Sequence, residues 1–363
     1  MKFISMYLPQ FHEIPENNDA WGKGFTEWTN VRKSRQLFAG HYQPRAPLDS
    51  NYYNLLRPET LKWQAGLAGK YGVDCFCFYH YWFHGRMVLE RPVELLRKMQ
   101  ELSIQYCFAW ANEPWTKTWH GAGGDKEILI PQTYGKEEDW EAHYQYFLPY
   151  FKDERYLKKD GRPVLLIYKL WNIPFYNDMI RYWKKRAKGD GFSGIYLICM
   201  KNSKSRIYAS QNVDGTMDFE PNNTKSIMLE ESGERIPLER KSIFWNRLAL
   251  KSINYCALND KMLCMPHREN EYRTVFVDYD DTPRRGSKGV VTFGSSPRHF
   301  AHYLEKNVQL SKGEGNEFLF INAWNEWGEG NYLEPDARNG YAYLEAVKKV
   351  KASKCKSDTQ SRL

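Results

Sequence analysis

The feature that most constrains this chain is a regular alternation of short apolar runs with longer amphipathic ones. Runs at 3–7, 73–79, 105–110, 164–169, 195–200, 214–219, 275–279 and 318–323 are β-rich. Helical patterns at 61–70, 92–102, 138–150, 175–187, 297–310 and 340–352 fall between or after them. Such alternation predicts a parallel sheet covered by helices. Several strands are apolar without a break, as expected when both faces are buried. Eight units in one chain of this length predict an α/β fold, a single (β/α)8 TIM barrel with extended strand-to-helix loops. The rival is an open doubly wound sheet. No G-x-G-x-x-G joins a strand to a helix, and long aromatic-rich segments follow the strands, which favours the barrel. The expected catalytic barrel covers 1–353, with a polar tail at 354–363 that frays. Segment 221–270 is the least regular and is expected to hold insertions.

Composition narrows the partners. Of 363 residues, 16% are aromatic, including 13 Trp and 25 Tyr. That content builds either a core or flat platforms for the apolar faces of sugars. The net charge of +8 is concentrated in helical stretches such as Arg181, Lys184, Lys185, Arg186 and Lys188, and reads as a solvated basic face. Without a nucleic-acid motif, no nucleic-acid partner is expected. Cys75, Cys77, Cys107 and Cys199 lie inside strand-like runs, where thiols behave as small buried hydrophobes. No spacing matches a zinc site, so neither metal nor cofactor is expected. Buried thiols, the lack of a signal-peptide pattern and the lack of an integral membrane segment make a cytoplasmic location the expectation.

Active sites of such barrels form at the C-terminal ends of the strands. The first strand leads through Tyr7 to Gln10, His12 and Glu13, then to Trp28. The second ends in His80 and Trp82, and the third in Trp110, Asn112, Glu113 and Trp115. The fourth ends at Lys169, the seventh at Asp278, Asp280 and Asp281, and the last at Asn325, Glu326, Trp327, Gly328, Glu329 and Tyr332. Carboxylates, amides, imidazoles and Trp recur in one layer. Sugars need this mix, so an oligosaccharide or polysaccharide is the expected partner. Tyr7, His12, Trp28, His80, Trp82, Trp110, Asn112, Glu113, Trp115, Lys169, Asp280, Asn325 and Tyr332 are its expected contacts.

Glu326 and Glu329 form the leading pair. Three residues apart in a helical turn, two carboxyls lie on one side, roughly 5–6 Å apart at Cβ. That proximity disfavours double ionisation and raises one pKa, which splits the pair into acid and base. Glu113 competes as a catalytic or binding carboxylate. Asp280 and Asp281 either bind hydroxyls or pair with Arg284 and Arg285. His80 reads as a binding residue rather than a core histidine.

These residues also carry a family resemblance. Asn325-Glu326-Trp327-Gly328-Glu329-Gly330, continuing to Leu333-Glu334-Pro335, is similar to the catalytic segment of glycoside hydrolase family 99, the endo-α-mannosidases. Tyr7-Leu8-Pro9-Gln10-Phe11-His12 and segments 24–28, 78–83, 109–115 and 280–284 resemble the WbsX-type, family 99-like proteins more closely. Those are commonly encoded with bacterial O-antigen and capsule genes. The resemblance implies a barrel and a metal-independent, retaining reaction. Glu326 would act as base on the substrate's 2-hydroxyl, giving a 1,2-anhydro sugar, and Glu329 as acid/base. Gly328 stands where the hydrolases carry a larger residue. A glycosyltransferase and a non-catalytic glycan-binding barrel are the alternative readings.

Overall fold

A computed structural model describes residues 1–117, 127–202, 212–232 and 250–360. The central strands are β1 (Lys2–Tyr7), β2 (Cys75–Phe83), β3 (Gln105–Trp110), β4 (Arg162–Ile167), β5 (Tyr196–Lys201), β6 (Gly215–Asp218), β7 (Glu271–Tyr272), β8 (Thr274–Phe276) and β9 (Phe318–Asn322). They pair in parallel in the order β7-β6-β5-β4-β3-β2-β1-β9-β8. β7 and β8 end that order, yet only Arg273 separates them in the chain, so the ring closes through them. They are the two halves of a seventh barrel strand, one half pairing with β6 and the other with β9. The eightfold barrel expected from the sequence is the fold found.

Helices α1 (Pro58–Tyr71), α2 (Arg91–Lys98), α3 (Glu137–Phe151), α4 (Tyr176–Gly189), α5 (Asn222–Ser232), α6 (Tyr255–Cys264), α7 (Pro297–Gly313) and α8 (Ala342–Gln360) intervene. Pro opens α1 and α7 and stands in the first turn of α2. There its missing N–H costs nothing and its fixed φ suits the helix. α8 continues past 353, so the boundary expected there falls within a helix. The irregular segment 221–270 contains α5 and α6, and its residues 233–249 lie outside the described ones. Among the described residues no helix is long and apolar enough to cross a membrane.

One large apolar cluster fills the barrel and the strand–helix interface. The strand-borne thiols are buried in it, as expected for Cys75, Cys77, Cys107 and Cys199. Residue alternation on β2 decides which side chains join it. Its even-numbered end residues, His80 and Trp82, pack on α3, leaving the odd-numbered Tyr79 and Tyr81 on the opposite face.

Candidate active site

β9 does not run on into a helix. Asn325–Glu326 pairs in an antiparallel sense with Asn331–Tyr332, and a single 3-10 turn, Trp327–Glu329, joins them. Gly330 closes the turn at φ 61°, a conformation that suits glycine. Both carboxyls therefore leave one tight hairpin at the barrel mouth. The side chain of Glu326 is 7% exposed and that of Glu329 21%.

A buried guanidinium holds them together. Arg284, in the short helix Thr282–Arg285, donates from Nη2 to Glu326 Oε2 at 2.9 Å and from Nη1 to Glu329 Oε1 at 2.6 Å. Its Nε donates to Oε1 of the fully buried Glu27 at 2.8 Å. One cation thus serves three carboxylates. Burial pushes the Glu326 carboxyl up to about 8; Arg284 opposes the rise, and Glu329 and Glu27 add to it. Burial likewise raises Glu27, against Arg284.

Phenols surround this centre. Burial first, then the charges of Glu326 and Glu329, raise the Tyr79 pKa. Tyr81 is raised by burial and feels Glu326, Arg284, Glu27 and Glu113. Burial, Glu113 and Glu329 raise Tyr168, and burial with Glu329 raises Tyr279. All four are neutral donors near neutral pH. Lys225 of α5 lies 4.1 Å from the centroid of Tyr279 and faces Asp281 and Glu329.

A second layer fixes the hairpin. Asn325 Oδ1 accepts from the Leu8 N–H at 2.8 Å and its Nδ2 donates to Leu8 O at 3.0 Å, stitching the hairpin to the end of β1. Glu334 accepts from Tyr53, Gln64, Trp324 and Trp327 at 2.6–3.0 Å. Burial raises its carboxyl to about 7 against those four bonds. Tyr332 stacks on Trp327 with ring centroids 3.7 Å apart and donates to Asp336. Trp28 also packs against Trp327 and donates to Tyr53 O.

Several expected sugar contacts occupy packing positions instead. Tyr7 is fully buried and its hydroxyl donates to Gln64 of α1 at 2.6 Å. His80 is buried: its Nε2 lies 2.8 Å from Nε2 of His143, and burial lowers its pKa to about 3. Trp82 stacks on His143 and donates to Asp139; Trp110 packs against His143 and Trp183. Trp115 belongs to a small cluster with Ile14, Phe83 and Ile130. The cause is common to His80, Trp82 and Trp110: each faces the helix layer, not the mouth. Asn112 clips the chain after β3 to that after β4 through both backbone groups of Lys169. His12 is buried as well, and burial with the nearby Arg91 lowers its pKa to about 4.

Asp280 is likewise committed, accepting from Gln43, Thr282 and His41 while its own N–H donates to Glu329 O at 2.6 Å. Asp281 pairs with Arg285, one of the two roles expected for it, whereas Arg284 turns to the glutamates. Glu113 and Lys169 form a partly exposed ion pair on the same mouth. Sequence reasoning missed Glu27, Arg284, Tyr79, Tyr81, Tyr168 and Glu334. For Tyr79 and Tyr81 the signal was there: two-residue periodicity places them opposite His80. Among the described residues no group of three or more His, Cys, Asp or Glu is arranged to hold a metal.

The family model described as glycosyltransferase WbsX matches residues 3–347. The chain belongs to the WbsX family. A curated relative, the uncharacterized protein WxcX of Xanthomonas campestris pv. campestris, is 35% identical over 352 residues, 96% of this chain and 49% of that protein. The WbsX chain thus spans about half the length of the curated relatives it matches. Among solved structures, a glycoside hydrolase family 99 endo-α-mannosidase from Bacteroides thetaiotaomicron superposes with a TM-score of 0.56 at 15% identity, over 98% of both chains. A glycoside hydrolase-like protein gives 0.60 at 12% identity, over 96% of this chain and 93% of that one. These similarities show a shared barrel fold.

Proposed function

We propose that this WbsX chain cleaves or transfers glycosidic bonds of a bacterial or host polysaccharide, using Glu326 and Glu329 without a metal. The observation that carries this is the convergence of both carboxyls, from one hairpin, on the single guanidinium of Arg284 at the barrel mouth. The centre gathers three carboxyls around one guanidinium and is rimmed by neutral phenols. It suits positive charge developing at an anomeric carbon. Glu326, the more buried carboxyl, takes the proton of the 2-hydroxyl. The freed oxygen attacks the anomeric carbon as the leaving oxygen takes a proton from the more exposed Glu329. Water then opens the 1,2-anhydro sugar, giving its proton to Glu329, while O2 recovers one from Glu326. A sugar acceptor in place of water gives transfer. The reduced thiols fit action in a reducing compartment.

The description of the family model supports a second reading, transfer from a sugar nucleotide. That reaction needs cations for a diphosphate, whereas Arg284 is committed to three carboxylates. An aryl-glycoside and glycan screen with wild type and the Glu326→Gln/Glu329→Gln double variant tests the first reading. Turnover lost only in the variant supports it; equal turnover overturns it. Calorimetric binding of a nucleoside diphosphate sugar would favour the second.

A further inference from the structure

Gly328 lies between the two catalytic candidates, and the space its missing side chain leaves is occupied. A Cβ there would overlap Glu27 Oε1 and stand 2.8 Å from Arg284 Nε. The Glu27–Arg284 pair therefore fills the volume beside the hairpin that any larger residue would claim. Resting on the proposed roles of Glu326 and Glu329, we propose that Glu27 is a positioning residue of this centre. Reaching Arg284 through the space left by Gly328, it fixes that guanidinium between Glu326 and Glu329 and so sets the separation and charge of the pair.

The geometry of guanidinium explains why a third carboxylate matters. Its nitrogens lie in one plane with fixed N–H directions. With only Glu326 and Glu329 as partners, the group could swing toward one of them. Holding Nε at Glu27 removes that freedom, and Nη1 and Nη2 then point to one carboxyl each. Glu27 is itself rigid. It is fully buried at the start of the helix Glu27–Lys33, whose first turn carries a reciprocal Thr26–Thr29 capping box. Its backbone N–H donates to Gln10 O at 3.0 Å, so the anchor belongs to the chain after β1 while the pair belongs to the chain after β9.

Charge acts in the same direction as geometry. Arg284 and Glu27 face Glu326 from two other elements, Glu329 from its own turn, and the phenols of Tyr79 and Tyr81 from β2. Glu27 raises the Glu326 carboxyl, so removing its charge favours the ionised form of Glu326.

The test needs no substrate. Carboxyl carbons of the full chain, labelled at Glu, are followed by NMR across pH, with the Glu326 signal identified by its loss in Glu326→Gln. Glu27→Gln keeps the shape and removes the charge. It is expected to lower the Glu326 midpoint by roughly one pH unit or more, and Gly328→Ala, which displaces Glu27, to move it the same way. A merely structural Glu27 would lower the melting temperature and leave the midpoint unmoved, which overturns the proposal. If Gly328→Ala does not fold, Glu27→Gln decides alone. Should no glycoside ever be turned over, the glycosidase reading fails, while the titration still shows whether Glu27 sets the charge of the pair.

Discussion

Arg284 Nη2 donates to Glu326 Oε2 at 2.9 Å, and this contact works against the burial that pushes the same carboxyl up to about 8. Folded protein thus holds a proton on Glu326 that unfolded chain releases near 4.5. Between those values the native state binds more protons, so the Glu326 contribution to stability is intact below about 4.5 and declines as pH rises toward 8. Melting curves from pH 5 to 8 should show wild type losing stability relative to Glu326→Gln as pH increases. As a base, Glu326 must be ionised, so kcat/KM should climb toward pH 8 over the same range. Parallel stability curves for the two proteins would refute the assignment.

Removing the guanidinium leaves the buried Glu27 and Glu326 and the partly buried Glu329 without this cation. Arg284→Met should cost about 3–5 kcal/mol in urea unfolding at pH 8. The loss should shrink at pH 5, where protonation relieves the carboxylates. Arg284→Lys should recover only part of it, since one ammonium cannot reproduce three divergent in-plane donors. Equal costs at both pH values would show that charge is not what Arg284 supplies.

In the proposed reaction Glu329, the more exposed of the two carboxyls, protonates the leaving oxygen. Glu329→Gln should abolish turnover of glycosides with poor leaving groups and spare those whose aryl group departs without a proton. Glu326→Gln should remove both. Rates on a graded aryl-glycoside series check this, and a loss in Glu329→Gln that is independent of leaving-group acidity would contradict it.

The His80–His143 pair gives a contrasting pH response. Burial keeps His80 neutral down to about 3, whereas unfolded chain takes up its proton near 6.5. Its contribution is present above 6.5 and is lost as pH falls from there toward 3. His80→Leu should therefore lose less stability than wild type between pH 6.5 and 4 and keep full glycan binding. A variant of normal stability that no longer binds glycan would restore His80 to the site.

Glu334 offers four acceptor positions to four donors. Glu334→Gln replaces two of those positions with N–H groups facing other donors, and should cost about 1–3 kcal/mol per mismatched bond. Thermal unfolding measures this, together with the quenching environment of Trp324 and Trp327. An unchanged melting temperature would mean that the four bonds contribute little.

Much of the fold was legible because strands such as 3–7 and 105–110 are apolar runs flanked by helical periods. The seventh strand was harder to see: its pairing residues are 271–276, and 275–279 carried the stronger local pattern. The hairpin at 325–332 is held by Asn325 and Glu334 through contacts remote in sequence, so local periodicity suggested a helical turn. For the site, position relative to a strand end was readable but facing direction was not. His80, Trp82 and Trp110 lie at the C-terminal ends of their strands as mouth residues do, yet they point to α3 and α4. Glu27 and Arg284 meet Glu326 and Glu329 in a four-residue contact that no local spacing encodes.

The stitch between Asn325 and Leu8 has a further consequence during synthesis. Glu27 leaves the ribosome 257 residues before Arg284, and the hairpin bearing Glu326 and Glu329 follows later still. Until β9 emerges and docks beside β1, the early anchor has neither its cation nor its catalytic partners. A nascent chain therefore carries no assembled centre, and the event that closes the barrel also brings the three carboxyls and the guanidinium together.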